Sequence, residues 1–323
     1  MNERKQYTID RMNELGAQSQ PFVFVIDFDF EKPLIFDLDH TSSILWKIPQ
    51  TSNFETKSFQ KNEFRWNIFP IGIELYTNAF DLVQHHIHNG DTYLLNLTMP
   101  TDIETSLSSE EIFHQSNASY KIWLKDQFIC FSPETFVRIN DGVISSYPMK
   151  GTMDAAIENA EQLLLSDEKE VAEHHTIVDL IRNDLSMVAT EVQVERFMYI
   201  DRIRTNQGEL LQMSSQISGR LPEDYQQSIG TILSKILPAG SICGAPKLKT
   251  LEIIRNVESY NRGYYTGIFG VFDGKNLDSC VLIRYLELDG DELTFKSGGG
   301  ITFLSDCETE YNELIQKVYV PIS

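Results

Sequence analysis

Two glutamate pairs of identical spacing, Glu170-x-x-Glu173 and Glu310-x-x-Glu313, stand 140 positions apart in segments whose periodicity predicts helices. Residues three apart share one face of a helix, so each helix can direct two carboxylates at one point. A fold that uses both pairs must bring together helices from distant parts of the chain. Four converging carboxylates repel one another unless positive charge sits among them. A hard divalent ion such as Mg²⁺, held by carboxylates, waters and a ligand's oxygens, meets that need. The same spacing is also common on solvated helix faces, so the surrounding residues decide between the two readings.

The chain has 27 Lys plus Arg against 47 Asp plus Glu, a net charge of −20. Nucleic acid and anionic membrane are poor partners for such a surface. An anionic substrate would need a locally cationic site, which makes the few basic residues in motifs informative. With 323 residues, 41% hydrophobic and 11% aromatic, the sequence describes a folded globule with ample core. Cys130, Cys243, Cys280 and Cys307 are scattered without a C-x-x-C, which argues against a zinc site or a disulfide framework. The opening MNERKQYTID lacks the apolar core of a signal peptide, and no apolar run approaches the roughly 18 residues of a membrane span, so a cytoplasmic location is expected. Cys243 lies in a small-residue loop that could suggest a thiol nucleophile. All seven histidines precede position 176, however, which leaves no downstream base for a Cys-then-His order.

Along the chain, Phe22–Phe30 reads as β-rich and a looser stretch follows to about Pro70. Glu74–Asn89 reads as helix, Thr92–Thr98 as strand and Ile122–Ser146 as several short strands. Asp154–Leu165 and Asp167–Val188 read as helices, Thr190–Tyr199 and Glu209–Leu221 as strands, and Asp224–Ile236 and Lys247–Val257 as helices again. Tyr264–Phe272, Ser279–Leu288 and Glu292–Ser297 form a meander. A last helix is expected after Ser305, whose spacing to Glu308 makes a capping box. Helices cluster between groups of strands, which favours an α+β fold over a doubly wound sheet.

Several segments carry chemistry. Lys150 follows a strand on a tight turn (Tyr147-Pro-Met-Lys150-Gly-Thr152); burial would favour its neutral, nucleophilic form, and a surface turn lysine is the alternative. Glu134 in Ser132-Pro-Glu134 stands at another strand edge, from which a hairpin could bring it to Lys150 as an acid–base partner. The loop from Leu237 to Lys247 could offer backbone amides to an anion, although its glycine spacing is not that of a phosphate-binding P-loop. Gly298, Gly299 and Gly300 permit either close ligand approach or a bulge. Arg284, within an apolar run read as mid-strand, calls for a carboxylate from the protein or from a ligand.

Taken together these motifs resemble the chorismate-utilising enzymes, which include anthranilate synthase component I, aminodeoxychorismate synthase component I, isochorismate synthase and salicylate synthase. The resemblance runs from about Tyr76 to Lys317 through GDTYLLNL (90–97), FSPETF (131–136), YPMKGT (147–152), EHHTIVDLIRNDL (173–185), LPAGSICGAPK (237–247), NRGYYTGIFG (261–270), SGGGI (297–301) and ETEYNELIQK (308–317). It implies one large domain of antiparallel-rich sheets flanked by helices over residues 74–323, with residues 1–73 a shortened β-rich segment packed against it. It also implies Mg²⁺ held directly by Glu173 and Glu313, with Glu170 and Glu310 acting through water. The substrate's carboxylates would be gripped by Tyr265, Arg284, the Gly298–Gly300 amides and Lys317, with Thr152 and Lys247 also in the binding set.

Two positions distinguish members. Leu94 stands where members that add water to chorismate carry a lysine base. Lys150 stands where anthranilate synthases have a small residue and aminodeoxychorismate synthases have a lysine. The resemblance therefore implies component I of aminodeoxychorismate synthase. In that reaction Lys150 attacks ring carbon C2, Glu134 assists departure of the C4 hydroxyl, and ammonia from a glutamine amidotransferase subunit adds at C4. Anthranilate synthase component I, an inactive chorismate-binding regulatory subunit and a metal-dependent hydrolase are the competing readings. Gln212, Ala239 and Cys243 depart from the family pattern, which has histidine, glycine and threonine there. The short N-terminal segment makes feedback by tryptophan doubtful.

Overall fold

The protein's structure, a computed structural model, describes residues 3–60, 63–205 and 208–322. Helix α1 (Glu3–Ala17) leads into β1 (Phe22–Ile26), β2 (Leu34–Phe36), β3 (Ile44–Ile48), β4 (Thr51–Ser52) and β5 (Trp66–Pro70). Helix α2 (Ile73–His88), β6 (Leu94–Thr105) and α3 (Ser109–Gln115) precede β7 (Tyr120–Leu124), β8 (Phe128–Ser132), β9 (Thr135–Asn140), β10 (Val143–Ser146) and β11 (Met149–Asp154). Helices α4 (Ala160–Ser166) and α5 (Glu168–Ser186) come before a long hairpin of β12 (Thr190–Thr205) and β13 (Gly208–Arg220). Then follow α6 (Ile229–Ile236), β14 (Gly244–Ala245), α7 (Lys247–Val257), β15 (Ile268–Phe272), β16 (Leu277–Val281), β17 (Tyr285–Asp289), β18 (Glu292–Thr302) and α8 (Cys307–Gln316).

These strands build two sheets. One runs β11-β13-β10-β9-β16-β15-β1-β2 with β12 on the outer side of β13, and the other runs β14-β6-β18-β17-β8-β7-β3-β4 with β5 beside β6. Every pairing among the described residues is antiparallel. Residues 1–73 give strands to both sheets. Strand β1 is buried along its whole length: Phe22, Phe24 and Ile26 face the core shared with α1 and α6, whereas Val23 and Val25 face the cluster around Trp46 and Phe269. A strand covered on both faces needs no polar alternation, which is why FVFVI reads as an unbroken apolar run. It stops at Asp27, whose carboxylate accepts from the amides of Glu31 and Lys32 and turns the chain.

The sheets are joined at a seam that the chain crosses twice. Strand β8 passes into β9 through Ser132-Pro133-Glu134, and β16 passes into β17 through Leu282-Ile283-Arg284. Because β8 pairs with β17 and β9 with β16, the two crossings lie side by side. The Phe131 amide donates to the Arg284 carbonyl at 3.0 Å, and the Val281 amide to the Glu134 carbonyl at 3.1 Å. Arg284 has φ +53°, a left-handed conformation that costs a non-glycine residue about 1–3 kcal/mol. The expected continuous strand over Ser279–Leu288 is therefore two strands, with Arg284 at the turn between sheets and not mid-strand.

Other boundaries moved for identifiable reasons. The helix expected from Asp154 begins only at Ala160, because Met149–Asp154 pairs with β13 as β11. The strand expected from Tyr264 begins at Ile268, after a turn in which Thr266 has φ +61°. Helix α8 is capped by Asp306, whose side chain accepts from the Thr309 amide at 2.9 Å. Ser305, the expected cap, accepts instead from the Thr302 amide and closes the preceding turn.

Helix α1 lies in a segment that the sequence reading left without a helix. Its buried residues, Thr8, Ile9, Met12, Leu15 and Gly16, form one stripe against α6 and the adjoining 3₁₀ turn. Contact is backbone-close: a Cβ at Gly230 would stand 2.4 Å from the Ile9 carbonyl oxygen, and one at Gly16 would stand 2.0 Å from that of Gln226. Met12 is fully buried. Met12→Ala should therefore cost about 2–5 kcal/mol in a denaturant melt; a loss below about 1 kcal/mol would mean that α1 is only loosely docked.

Candidate active site

Helices α5 and α8 lie over the seam and over the glycine stretch of β18, and enclose a cavity of about 570 Å³. That is ample for a small-molecule substrate. Glu170 and Glu173 enter from α5, and Glu310, Glu313 and Lys317 from α8 and its C-cap. Lys150 and Thr152 come from β11, Gly298–Gly300 from β18, Glu134 and Arg284 from the crossings, and Tyr265 from the turn before β15. The two distant E-x-x-E pairs thus face one space.

Three lysines meet the charge of the four glutamates. The Lys150 Nζ donates to Glu173 Oε2 at 3.0 Å, and the Lys317 Nζ lies 2.6 Å from Glu313 Oε1 while donating to the Gly298 carbonyl at 2.9 Å. The third is Lys169, which the sequence reading did not single out. Its Nζ donates to Glu310 Oε1 at 2.6 Å and stands 3.9 Å from Glu173 Oε1. It lies four residues before Glu173, one helical turn away on the same face, and that spacing was the available signal. Glu173 and Glu310 are 4% and 3% exposed, so little solvent screens these pairs.

Burial alone would lower the Lys150 pKa, but Glu173, Glu170 and Glu313 outweigh it and hold the amine above its ordinary value. The expectation of a lysine neutralised by burial is thus reversed in this arrangement: the neighbouring carboxylates keep it charged. Glu170 is pushed up by burial and by Glu173. Burial opposes ionisation of Glu313 as well, yet Lys317, Lys169 and Lys150 bring it below its ordinary value. Burial also lowers the Lys317 pKa, against the pull of Glu313.

The glutamates descend onto β18 because it is bare. A Cβ at Gly300 would stand 2.9 Å from Glu173 Oε2 and 3.1 Å from the Lys150 Nζ, and one at Gly299 would stand 3.3 Å from Glu310 Oε2. As a set of hard oxygen donors the four glutamates suit a divalent cation such as Mg²⁺. Among the described residues, however, no three of them stand close enough together to hold an ion, and Glu173, Glu310 and Glu313 are paired with lysines.

At the seam, Glu134 accepts a hydrogen bond of 2.5 Å from Ser241 Oγ. Burial raises its carboxyl pKa, and Ser241, Lys150 and Arg284 only partly offset that rise. Ser241 was missed because only the backbone of its loop drew notice. Arg284 makes no ion pair within 4 Å among the described residues; its guanidinium lies 5.5 Å from the Tyr319 ring and faces the cavity. Leu94, buried, would touch a Cβ at Gly300 and forms an apolar wall there.

Lys247 does not reach the cavity. Its Nζ donates to Asp184 at 2.6 Å and to the Ile236 carbonyl at 3.1 Å, tying α7 back to α5 and α6. The loop it closes spends the amides of Ile242 and Cys243 on the carbonyls of Ala239 and Gly240, so those amides are not free to hold an anion. Cys243 is buried, with its thiol pKa pushed up to about 12 by burial, which disfavours a nucleophile. Asp179 and Arg182 pair with each other in exposed positions, whereas His174 is buried against Ser215.

A sequence profile of chorismate binding enzymes matches residues 37–323. The chain belongs to this family. It is 52% identical over 319 residues to the "Uncharacterized PabA-like protein" of Haemophilus influenzae, covering 98% of this chain and 97% of that one. It is 34% identical to anthranilate synthase component 1 of Acetivibrio thermocellus, over 72% of this chain and 49% of that one. Against aminodeoxychorismate synthase component 1 of Bacillus subtilis the identity is 30%, over 85% and 60%. The menaquinone-specific isochorismate synthase of Escherichia coli superposes with a TM-score of 0.74 over 97% of this chain and 80% of that one at 18% identity, which establishes the shared fold. Among the described residues no helix is long and apolar enough to cross a membrane.

For a chorismate-binding enzyme built on a bare strand, one methyl group is a sharp test. Gly300→Ala should weaken chorismate binding by about tenfold or more in titration calorimetry while the protein stays folded, because the added Cβ intrudes on both Glu173 and Lys150. Unchanged affinity would show that substrate does not approach this strand.

Proposed function

We propose that this chorismate-utilising enzyme is component I of an aminodeoxychorismate synthase, making 4-amino-4-deoxychorismate from chorismate and ammonia. The observation that carries the reading is Lys150 standing on the floor of the cavity, within reach of Glu173 and electrostatically coupled to Glu134. Mg²⁺ bound by the glutamates would supply positive charge for the ring carboxylate. Arg284, which has no carboxylate within 4 Å among the described residues, and Lys317, at the Gly298 carbonyl, supply cationic groups for the substrate's carboxylates.

In the proposed reaction Lys150 leaves Glu173, sheds its proton and attacks ring carbon C2 as a free amine. Both ring double bonds shift, and the C4 hydroxyl departs as water after taking a proton from Glu134, whose burial favours the protonated acid. Ammonia then bonds to C4 and gives up a proton, both double bonds shift back, and the Lys150 amine leaves C2. The net change is replacement of one hydroxyl by one amino group with release of water. Leu94 offers no base to activate water on its side of the cavity. A glutamine amidotransferase subunit is the proposed ammonia source, and the reaction is proposed to run in the cytoplasm.

The test is product identification from chorismate, Mg²⁺ and ammonium at mildly alkaline pH. Wild type should give aminodeoxychorismate, and Lys150→Ala should be slower by at least about 100-fold. Anthranilate as product would make the chain an anthranilate synthase, and no turnover even with candidate amidotransferases would make it a binding subunit. A pH profile tests Glu134 separately. Ser241 donates to its carboxylate and so favours the ionised form. Ser241→Ala should raise the Glu134 pKa further and move the alkaline limb of kcat to higher pH, since the acid then keeps its proton longer. An unmoved limb would remove Glu134 from the acid's role.

A further inference from the structure

We propose that Lys169, together with Lys150, is a resident counter-ion of the glutamate quartet that a divalent cation must displace in order to bind. This deepens the metal reading of the same site and rests on it.

Lys169 is the one lysine among the described residues that spans both acidic helices. It rises from α5, hydrogen-bonds Glu310 on α8 at 2.6 Å and lies 3.9 Å from Glu173 on its own helix. Lys150 holds Glu173 from the other side, and Lys317 holds only Glu313. Lys169 thus does what a bridging cation does, linking one carboxylate of each pair. Glu173 and Glu310 are almost wholly buried, and carboxylates so placed need a compensating charge at all times. An ammonium 2.6 Å from Glu310 and another 3.0 Å from Glu173 would repel a divalent ion brought to the same cluster of carboxylates. Metal entry therefore requires Lys169 to swing off Glu310 and Lys150 off Glu173. The site's affinity for the ion is the carboxylates' own affinity less the cost of breaking these pairs. The exchange also releases Lys150 from Glu173, so metal arrival and availability of the proposed nucleophile become one event.

The test uses Mn²⁺ as probe, with full-length protein and no substrate, read by titration calorimetry or by the electron paramagnetic resonance signal of free Mn²⁺. Lys169→Met keeps the side chain's bulk without its charge. It should bind Mn²⁺ about fivefold or more tightly than wild type, and its Tm in EDTA should fall below that of wild type. Lys169→Arg keeps the charge in a fork that grips a carboxylate better, and should bind Mn²⁺ more weakly than wild type. A folded Met variant with unchanged or weaker Mn²⁺ affinity overturns the proposal. If that variant does not fold, the Arg variant decides, and affinity equal to or above wild type overturns it. Wild type that takes up no Mn²⁺ even with chorismate present would overturn the metal reading itself. Because neither readout depends on which product forms, failure here is distinguishable from failure of the synthase assignment.

Discussion

Four carboxylates aimed into one cavity, two of them almost wholly buried, are the constraint around which this molecule is arranged. Two helices from distant parts of the chain supply them, and neither could hold its pair inward without positive charge close by. Lys150, Lys169 and Lys317 provide that charge from three directions. The glycines of β18 leave room for the acid groups to come down onto the strand. In a chain of net charge −20 this is a local balance, since cationic groups gather among the carboxylates where an anionic substrate would enter.

The two-sheet architecture makes such a gathering possible. Where β8 runs into β9 and β16 into β17, the chain leaves one sheet for the other, and one charged residue at each crossing lines the cavity. Glu134 and Arg284 occupy these two positions. Their neighbours are fixed by backbone hydrogen bonds across the seam, so their placement follows from topology and does not rely on a mobile loop. Tyr265, on the adjoining turn, shares that rigidity; it is almost wholly buried, with its ring tilted against that of Tyr285 at 5.7 Å.

Much of this was legible in the sequence, because spacing on a helix and glycine runs on a strand are local signals. The expected bounds of Lys247–Val257 coincide with α7, and the expected helix over Asp167–Val188 is α5 with its cap at Asp167. What was not legible depends on three-dimensional partners. Arg284 reads as mid-strand because its flanks are apolar on both sides, and only the sheet change explains its left-handed backbone. The resemblance puts Lys247 in the binding set, yet Asp184, 63 positions earlier, claims it. Helix α1 carries its apolar stripe among many polar residues, and its docking on α6 supplies the stability that its composition does not advertise. The same holds for the charge of Lys150: burial is inferred from pattern, but the glutamates that hold its amine above its ordinary value come from elsewhere in the fold.

The account turns on Lys150 being the group that bonds to the substrate. The most direct measurement is peptide mass spectrometry after rapid acid quench of enzyme, chorismate and Mg²⁺ mixed in the strict absence of ammonia. The account predicts a peptide spanning Lys150 that is heavier by chorismate less one water. Enzyme that forms aminodeoxychorismate on addition of ammonia, yet never shows an adduct on Lys150 when ammonia is withheld, would contradict it.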